Sequence, residues 1–258
     1  MTTDRETDPD RDYIAGLAKG LTVIECFEAG RERLTIADVA RTTGISRAAA
    51  RRCLLTLERL RYAEFDGKFF RLTPRVLRLG YAYLSATALP QILQPYLERL
   101  SEMTKESCSA SILDSREVVY IARSAQKRIM SVGLNIGTRL PAYCTSMGRV
   151  LLASLPPDEA RRRILASERH KLTTGTLVAM RDLVLSVARA REKGFAIVDQ
   201  ELEIGLASIS VPVYNSAGTC VAAVNISAQS QRLSARDLEA QFLPHLVALQ
   251  RAVRPLIA

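Results

Sequence analysis

The sequence predicts an N-terminal winged helix-turn-helix, mainly α with a β-hairpin wing, followed by a C-terminal α+β domain. Three observations carry this expectation. Residues Leu34–Arg61, LTIADVARTTGISRAAARRCLLTLERLR, read as two short helices around a tight corner at Gly44. Asp66-Gly67 then sits between two aromatic-rich arms, the pattern of a β-hairpin. From Cys108 onward the apolar period changes, and short β-rich runs mix with helical stretches.

Composition admits this plan. At 258 residues, with 48% hydrophobic and 24% charged side chains, the chain has room for two modest cores and is ordinary for a globular protein. No apolar run reaches the ~18 residues of a membrane span. The N-terminal residues 1–12, MTTDRETDPDRD, are too acidic and polar for a targeting signal; they read as a flexible tail, and the protein as cytoplasmic. The formal charge of +9 is concentrated, since residues 41–78 hold ten Lys or Arg against three acids. Such a cluster points to a polyanion partner. The five cysteines are scattered without a C-x-x-C pair, as small core residues of a reduced compartment. With only His170 and His245 to add, no Cys/His zinc site and no cofactor is expected.

A first helix is expected over Tyr13–Glu28, with Leu17, Leu21, Ile24 and Phe27 at helical spacing; Gly30 and Arg31-Glu32-Arg33 end it. Thr35, with Asp38 three residues on, is a capping box with a shortened acid, and Ile36, Val39 and Ala40 give the second helix its buried side. Ser46 caps the third helix, whose core face is Ala50, Cys53, Leu54, Leu57 and Leu60. Arg47, Ala48, Arg51 and Arg52 fall on another face near its N-terminal end, beside Ser46. Arginines there fork onto guanine edges or clamp phosphates, and small Ala48 allows close approach to a groove. The competing reading is that Arg51 or Arg52 only pairs with acids nearby. On the wing, Lys68 and Arg71 are placed to reach flanking phosphates. The DNA-binding unit is expected to span 13–74.

Thr73 and Pro74, a cap and a first-turn proline, open a linker helix over 75–88. Val76, Leu77, Leu79, Tyr81, Tyr83 and Leu84 make it apolar on more than one side, so it is expected to pack on a second copy of the chain as well as its own. Pro90 then breaks the pattern before a helix over Ile92–Lys105. In the last domain, 89–258, strands are expected in SASILDSREVVYIARS (a hairpin around Asp114-Ser115-Arg116), RIMSVGL, GFAIVDQ and LASISVPVYNSAGTCVAAVNISAQ. Helices are expected over Thr145–Ser154, Pro157–Ser167, Arg181–Lys193 and Ser234–Arg254, the last kinked at Pro244.

With these residues in place, the chain resembles the IclR family of transcriptional regulators. The order LTIADVARTTGISRAAARRCLLTLERLRYAEFDGKFFRLTPRVLRLGYAYL is similar to the family's N-terminal domain. TRLPAYCTSMGRVLLA, GFAIVDQELEIGLASISVPV and GTCVAAVNIS resemble its GAF-like effector domain. One departure is local: the family usually has Gly before the aromatic where this chain has Arg61-Tyr62. The form RIMSVGLNIGTRLPAYCTSMGRVLLA is similar to the subgroup that controls aromatic-acid breakdown through the β-ketoadipate pathway. The resemblance implies a homodimer, or a dimer of dimers, on a near-palindromic double-stranded DNA operator. It also implies a small organic acid effector in the C-terminal domain: protocatechuate, 4-hydroxybenzoate, muconate or β-ketoadipate.

The effector site has a physical basis of its own. Thr145 is placed to cap a helix whose first amides, of Ser146, Met147 and Gly148, face out of a positive helix end, a ready site for a carboxylate. Ser208, Asn225 and Ser227 are polar residues inside strands otherwise rich in Ile, Val and Ala. Such groups need partners, either a ligand or the backbone. By motif, the resemblance adds Asp199 or Val198 to the same walls. Tyr143, Arg139 and Met147 are candidates for tuning the pocket to a ring or a second carboxylate. Arg123, Arg128 and Arg149 are weaker candidates, because surface arginine is common.

No G-x-S-x-G, P-loop or G-x-G-x-x-G occurs, and neither histidine has an Asp or Cys partner nearby in sequence, so an enzyme is not expected. The expectation is a ligand-responsive DNA-binding regulator of aromatic-acid catabolism. Its rivals are a small-molecule-transforming enzyme with an accessory DNA-binding domain and an architectural DNA binder without effector.

Overall fold

The computed structural model describes residues 13–28, 30–126 and 134–258. The expected tail and nearly all of the expected RIMSVGL strand, Arg128 included, lie outside the described residues. The chain forms two compact units, Met1–Tyr83 and Leu84–Ala258.

In the first unit, α1 (Ala15–Glu25), α2 (Ile36–Thr43) and α3 (Arg47–Arg59) precede a hairpin of β1 (Ala63–Phe65) and β2 (Phe70–Leu72). Side chains start both later helices. The Thr35 hydroxyl accepts from the Asp38 amide at 3.2 Å, while the Asp38 carboxylate accepts from the Thr35 amide at 3.1 Å, closing the capping box. Gly44 ends α2 at φ +72°, a left-handed conformation that glycine adopts without a Cβ clash. Ser46 then accepts from the Ala49 amide at 3.2 Å to start α3. Val23, Val39, Ala50, Leu54, Leu57 and Phe70 form the core.

The structure departs from the expected pattern in particular places. α1 buries Val23 and Cys26, whereas Leu17 and Leu21 face out. Leu60 is 52% exposed, because α3 ends at Arg59 and the chain turns away through Arg61 at φ +63°. The hairpin tip is Gly67-Lys68, one residue beyond the expected pair. The Asp66 amide donates to the Phe69 carbonyl at 3.1 Å, and the Asp66 carboxylate accepts from the Lys68 and Phe69 amides at 3.0 and 2.8 Å. Asp66 thus serves from the flank of the turn, where its side chain stands in for a backbone acceptor. Beyond the hairpin, Thr73 caps a 3₁₀ turn at Pro74–Val76 that leads into α4 (Leu77–Ala86). No residue of α4 is buried.

The second unit opens with α5 (Ala88–Thr104), which starts ahead of the expected Ile92. Pro90 lies in its first turn, where no amide donor is needed and a fixed φ suits a helix. β3 (Ser107–Asp114) and β4 (Glu117–Ser124) make a hairpin through Ser115-Arg116, and β5 (Arg139–Pro141) follows. Next come α6 (Ser146–Ala153), α7 (Pro157–Ala166) and α8 (Met180–Lys193), then β6 (Ala196–Asp199), β7 (Leu206–Tyr214), β8 (Cys220–Gln229) and α9 (Ala235–Val253). α9 runs unbroken through Pro244, whose exposed face leaves the freed carbonyl of Ala240 to water.

The strands form one antiparallel sheet in the order β5-β4-β3-β8-β7-β6, so β3 and β8, far apart in sequence, lie side by side at its centre. α5 and α9 cover one face, with Leu93, Leu97, Phe242 and Leu246 in the same core as Ile209 and Ile226. α6, α7 and α8 form the other layer, around Met147, Val150, Ile164 and Leu183. Each such side chain contributes about 1.5–3 kcal/mol by burial. All five cysteines are free, and burial pushes the Cys108 and Cys144 thiols up to about 12. Among the described residues no helix is long and apolar enough to cross a membrane.

Candidate DNA-reading surface and ligand cavity

α3 buries Ala50, Leu54 and Leu57 and displays Arg47, Ala48, Arg51 and Arg52 to solvent. Among the described residues none of these arginines forms an ion pair, so the competing assignment of Arg51 or Arg52 to nearby acids has no counterpart in the structure. Ser46 is exposed, but its hydroxyl is engaged as the helix cap. The wing cations differ from one another. Arg71 forks onto Glu64 directly across the hairpin, at 2.9 and 2.6 Å. Lys68, at the tip, has the Phe69 ring beneath its ammonium, 5.1 Å from the centroid, and among the described residues no ion pair. Arg33 lies over the same ring and pairs with Asp66.

The second unit encloses a cavity between the sheet, the start of α6 and the connection from β6 to β7. Its interior, measured to the centres of water-sized spheres, is about 60 Å³. At roughly 10–15 Å³ per water, that is room for about four to six waters, on the order of one six-membered ring. Strand register builds the floor. Ser109 stands opposite both Arg123 and Asn225, and the next row runs Ser107, Ser227, Ser208, Val198. Directly paired residues share a sheet face, so these small polar side chains form a grid lining the cavity. Cys144, Thr145, Ser146 and Met147 wall one side, and Leu202, Glu203 and Leu206 another.

Much of this grid is internally bonded. The Ser146 and Ser208 hydroxyls meet at 2.8 Å, Ser111 donates to the Met147 sulfur at 3.2 Å, and the Asn225 amide donates to the Ser227 hydroxyl at 2.9 Å. Among the described residues, Nε of Arg123 and Oδ1 of Asn225, both buried in the lining, find no hydrogen-bond partner. Burial lowers the Arg123 pKa, and pushes the neighbouring Tyr120 phenol up to about 12.

Of the residues expected at an effector site, Ser146, Met147, Ser208, Asn225 and Ser227 converge on this cavity. Others do not. β6 turns Val198 inward, so Asp199, one residue on, is exposed on the opposite face. Tyr143 is buried behind the wall, its hydroxyl donating to the His170 carbonyl at 2.8 Å and accepting from the His170 amide at 3.0 Å. The Gly148 amide is already taken by the Thr145 hydroxyl at 3.2 Å. A Cβ on Gly148 would stand 2.1 Å from the Ala142 carbonyl oxygen, so this glycine serves close packing of α6 on its own approach segment. Arg139 is exposed and divided between Glu117 and Asp114, both at 2.7 Å. Arg149 is buried against Glu201 at 2.6 Å.

Arg123, a weak candidate by sequence, is placed in the lining, and Ser107, Ser109, Tyr120 and Leu202 were not anticipated at all. A usable signal existed for the serines. Ser107, Ser109 and Ser111 alternate with Cys108 and Ala110, and Asn225, Ser227 and Gln229 alternate with Ile226 and Ala228, which is a polar face on otherwise buried strands.

Comparison with known proteins gives a consistent result. Residues 16–67 match the IclR helix-turn-helix domain, and residues 81–254 match the bacterial transcriptional regulator IclR C-terminal domain. The Pca regulon regulatory protein of Pseudomonas putida is 44% identical over 243 residues, covering 94% of this chain and 84% of that protein. The p-hydroxybenzoate hydroxylase transcriptional activator of Acinetobacter baylyi is 39% identical over 251 residues, covering 95% and 93%. The inducer-binding domain of the Acinetobacter transcription factor PobR, a double mutant in complex with 3-hydroxybenzoic acid, aligns with a TM-score of 0.62. Its identity is 31%, and the match covers 65% of this chain and 98% of that one.

Proposed function

The chain belongs to the IclR family of bacterial transcriptional regulators, and on that premise we propose that it acts in the cytoplasm as a dimer on a near-palindromic operator, governed by an aromatic carboxylic acid held in the cavity. The observation that carries the ligand half is the cavity floor, a set of buried polar side chains on a sheet, with Arg123 Nε and Asn225 Oδ1 left without partners. Buried polar atoms of this kind require an occupant with polar ends. The relatives support the choice of occupant: one is named for p-hydroxybenzoate hydroxylase, and a PobR domain holds 3-hydroxybenzoic acid.

Uncovered apolar surface supports the dimer. Leu77 and Tyr81 of α4 are 73% and 70% exposed, and Leu79 and Tyr83 are exposed beside them. Burial against a second copy stabilises by about 25 cal/mol per Å². Two copies present two α3 helices to half-sites separated by a turn of DNA, with Arg47, Ala48, Arg51 and Arg52 at the bases and Ser46, Lys68 and Arg71 at phosphates. The ligand changes operator affinity only if it binds one dimer geometry better than another, with a coupling of about 1–3 kcal/mol.

A melting screen of the full-length protein tests the ligand class, using 3-hydroxybenzoate, 4-hydroxybenzoate, protocatechuate, muconate and β-ketoadipate. A ring acid at 100 times its Kd is expected to add about 2.7 kcal/mol of stability and to shift operator binding. A shift with only the acyclic acids would replace the aromatic class with dicarboxylates. No shift with any acid would restore the effector-free architectural reading.

A further inference from the structure

A half-buried cation with no anion beside it is poorly compensated, and the cavity holds one. Arg123 lies on β4 in the lining, its Nε closed off from water and without a hydrogen-bond partner. Several charged groups in the same domain already have partners, and Glu203, also in the lining, is engaged as well. Arg149 is spent on Glu201, Arg139 on Glu117 and Asp114, and Glu106, in the lining, is paired with Arg232. Among the described lining residues Arg123 is the one cationic side chain, and no carboxylate pairs with it.

The α6 end of the cavity is different in kind. There the Gly148 amide is taken by Thr145 and the Ser146 hydroxyl by Ser208, at 3.2 and 2.8 Å. Those groups are already provided for; the guanidinium is not. Register fixes its setting, because Arg123 pairs with Ser109, whose other neighbour is Asn225, on the floor where a ligand would lie.

We propose that Arg123 is the acid anchor of this cavity, taking the effector's carboxylate in a two-pronged pair through Nε and one terminal nitrogen. The inference rests on the effector reading above and assigns which end of the ligand goes where. The planar fork of arginine matches a carboxylate, and such charge-assisted pairs are the stronger class of hydrogen bond. The rest of the ligand then lies against Met147, Val198, Leu202 and Leu206. An uncharged analogue of the same shape leaves the half-buried cation without a counter-charge, so the site selects acids over amides.

Titration calorimetry of full-length wild type, R123Q and R123K tests this, with 4-hydroxybenzoate, neutral 4-hydroxybenzamide and adipate as probes. Wild type is expected to bind the ring acid at least ~10-fold more tightly than the amide. R123Q is expected to lose about 10- to 100-fold for the acid, a much larger loss than for the amide, with an unliganded melting temperature no lower than that of wild type. R123K, a point charge without the fork, is expected to keep the preference for acid at reduced affinity. The proposal is overturned if R123Q binds the acid as wild type does, or if R123Q and R123K lose acid and amide alike. If only adipate binds and R123Q abolishes it, Arg123 stands as anchor and the aromatic class falls. If wild type binds none of the three, both fall.

Discussion

Arg47, Ala48, Arg51 and Arg52 reach solvent from neighbouring turns of a single helix, whereas the cavity gathers side chains from segments spread between Glu106 and Gln229. The first surface is carried by α3, which needs only its Ser46 cap and a buried opposite face. The second exists only while β3 holds its register against β4 and β8 and while α6 stays in place over the floor. The contrast teaches where each function is stored. The exposed side chains of α3 can be removed without touching the fold, while residues behind the cavity hold fold and site together.

The largest expected effect breaks the second kind. Arg149 and Glu201 are 4% and 8% exposed and meet at 2.6 Å. Arg149 also donates twice to the Tyr143 carbonyl, each at 3.2 Å, and Glu201 accepts from the Leu177 amide at 3.1 Å. The pair therefore ties α6 to the turn that supplies Leu202 and Glu203 to the lining. Arg149→Met leaves a buried carboxylate without its counter-charge, and urea unfolding is expected to show a loss of about 3–5 kcal/mol. Adding Glu201→Leu is expected to restore most of it, since a well-packed apolar pair is often neutral or better. A single-variant loss below about 1 kcal/mol would show that the pair does not hold this wall.

The α3 surface is expected to give the opposite result. Arg51→Ala and Arg52→Ala are expected to leave stability within about ±0.5 kcal/mol and effector affinity unchanged, while each weakens operator binding by about 1–3 kcal/mol. Wild-type operator affinity in both variants would remove α3 from the bases. A gel-shift series and a denaturation curve on the same samples decide it.

A smaller effect separates the wing from the cavity by pH. Amide bonds from Phe69 and then Lys68 hold the Asp66 carboxyl down at about 2, against 3.8 in an unfolded chain. A carboxylate with a lowered folded pKa stabilises above its unfolded value and loses that contribution as pH falls toward the folded one. Thermal stability of the first unit is therefore expected to hold to about pH 4 and to fall between pH 4 and about 2. Asp38, lowered chiefly by the Thr35 hydroxyl, acts in the same direction. Asp66→Asn is expected to flatten part of that acid limb, and an unaltered limb would take Asp66 out of the account.

The same contrast explains what was legible beforehand. The Thr35–Asp38 box, the Gly44 corner and the Ser46 cap are local, each needing only residues within a turn, and each forms as expected. Ser208, Asn225 and Ser227 were visible as polar interruptions in apolar strands. Arg123 was not distinguishable from a surface arginine, because its place beside Ser109 depends on the pairing of β3 with β4, including a bulge between Ala110 and Ser111. Gly148 misled for a related reason. Its amide fits an anion site by local pattern, and only the nearness of the Ala142 backbone reveals a packing glycine. Tyr143 likewise looks like a pocket ring until His170, distant in sequence, claims its hydroxyl from both sides.

Arg61 stands between the two cases, and the smallest prediction concerns it. The Arg61 amide donates to Glu58 and the Tyr62 amide to Leu57, both at 2.8 Å, the paired bonds that close a helix through a left-handed residue. Arg61 supplies that conformation at φ +63°, in the left-handed region that favours glycine, and its carbonyl accepts from the Thr73 hydroxyl at 2.6 Å. A side chain there costs about 1–2 kcal/mol, while glycine costs about 0.5–1 kcal/mol of extra chain entropy. Arg61→Gly is therefore expected to raise stability by about 0.5 kcal/mol, a shift of ~2–4 °C for a unit of this size. Arg61 also belongs to the basic cluster at the base of the wing, so the salt slope of operator binding is expected to fall by about 0.9, one phosphate. A less stable variant would defeat the strain argument. A gain in stability with an unchanged slope would leave Arg61 as a turn residue alone, at a position whose backbone favours glycine.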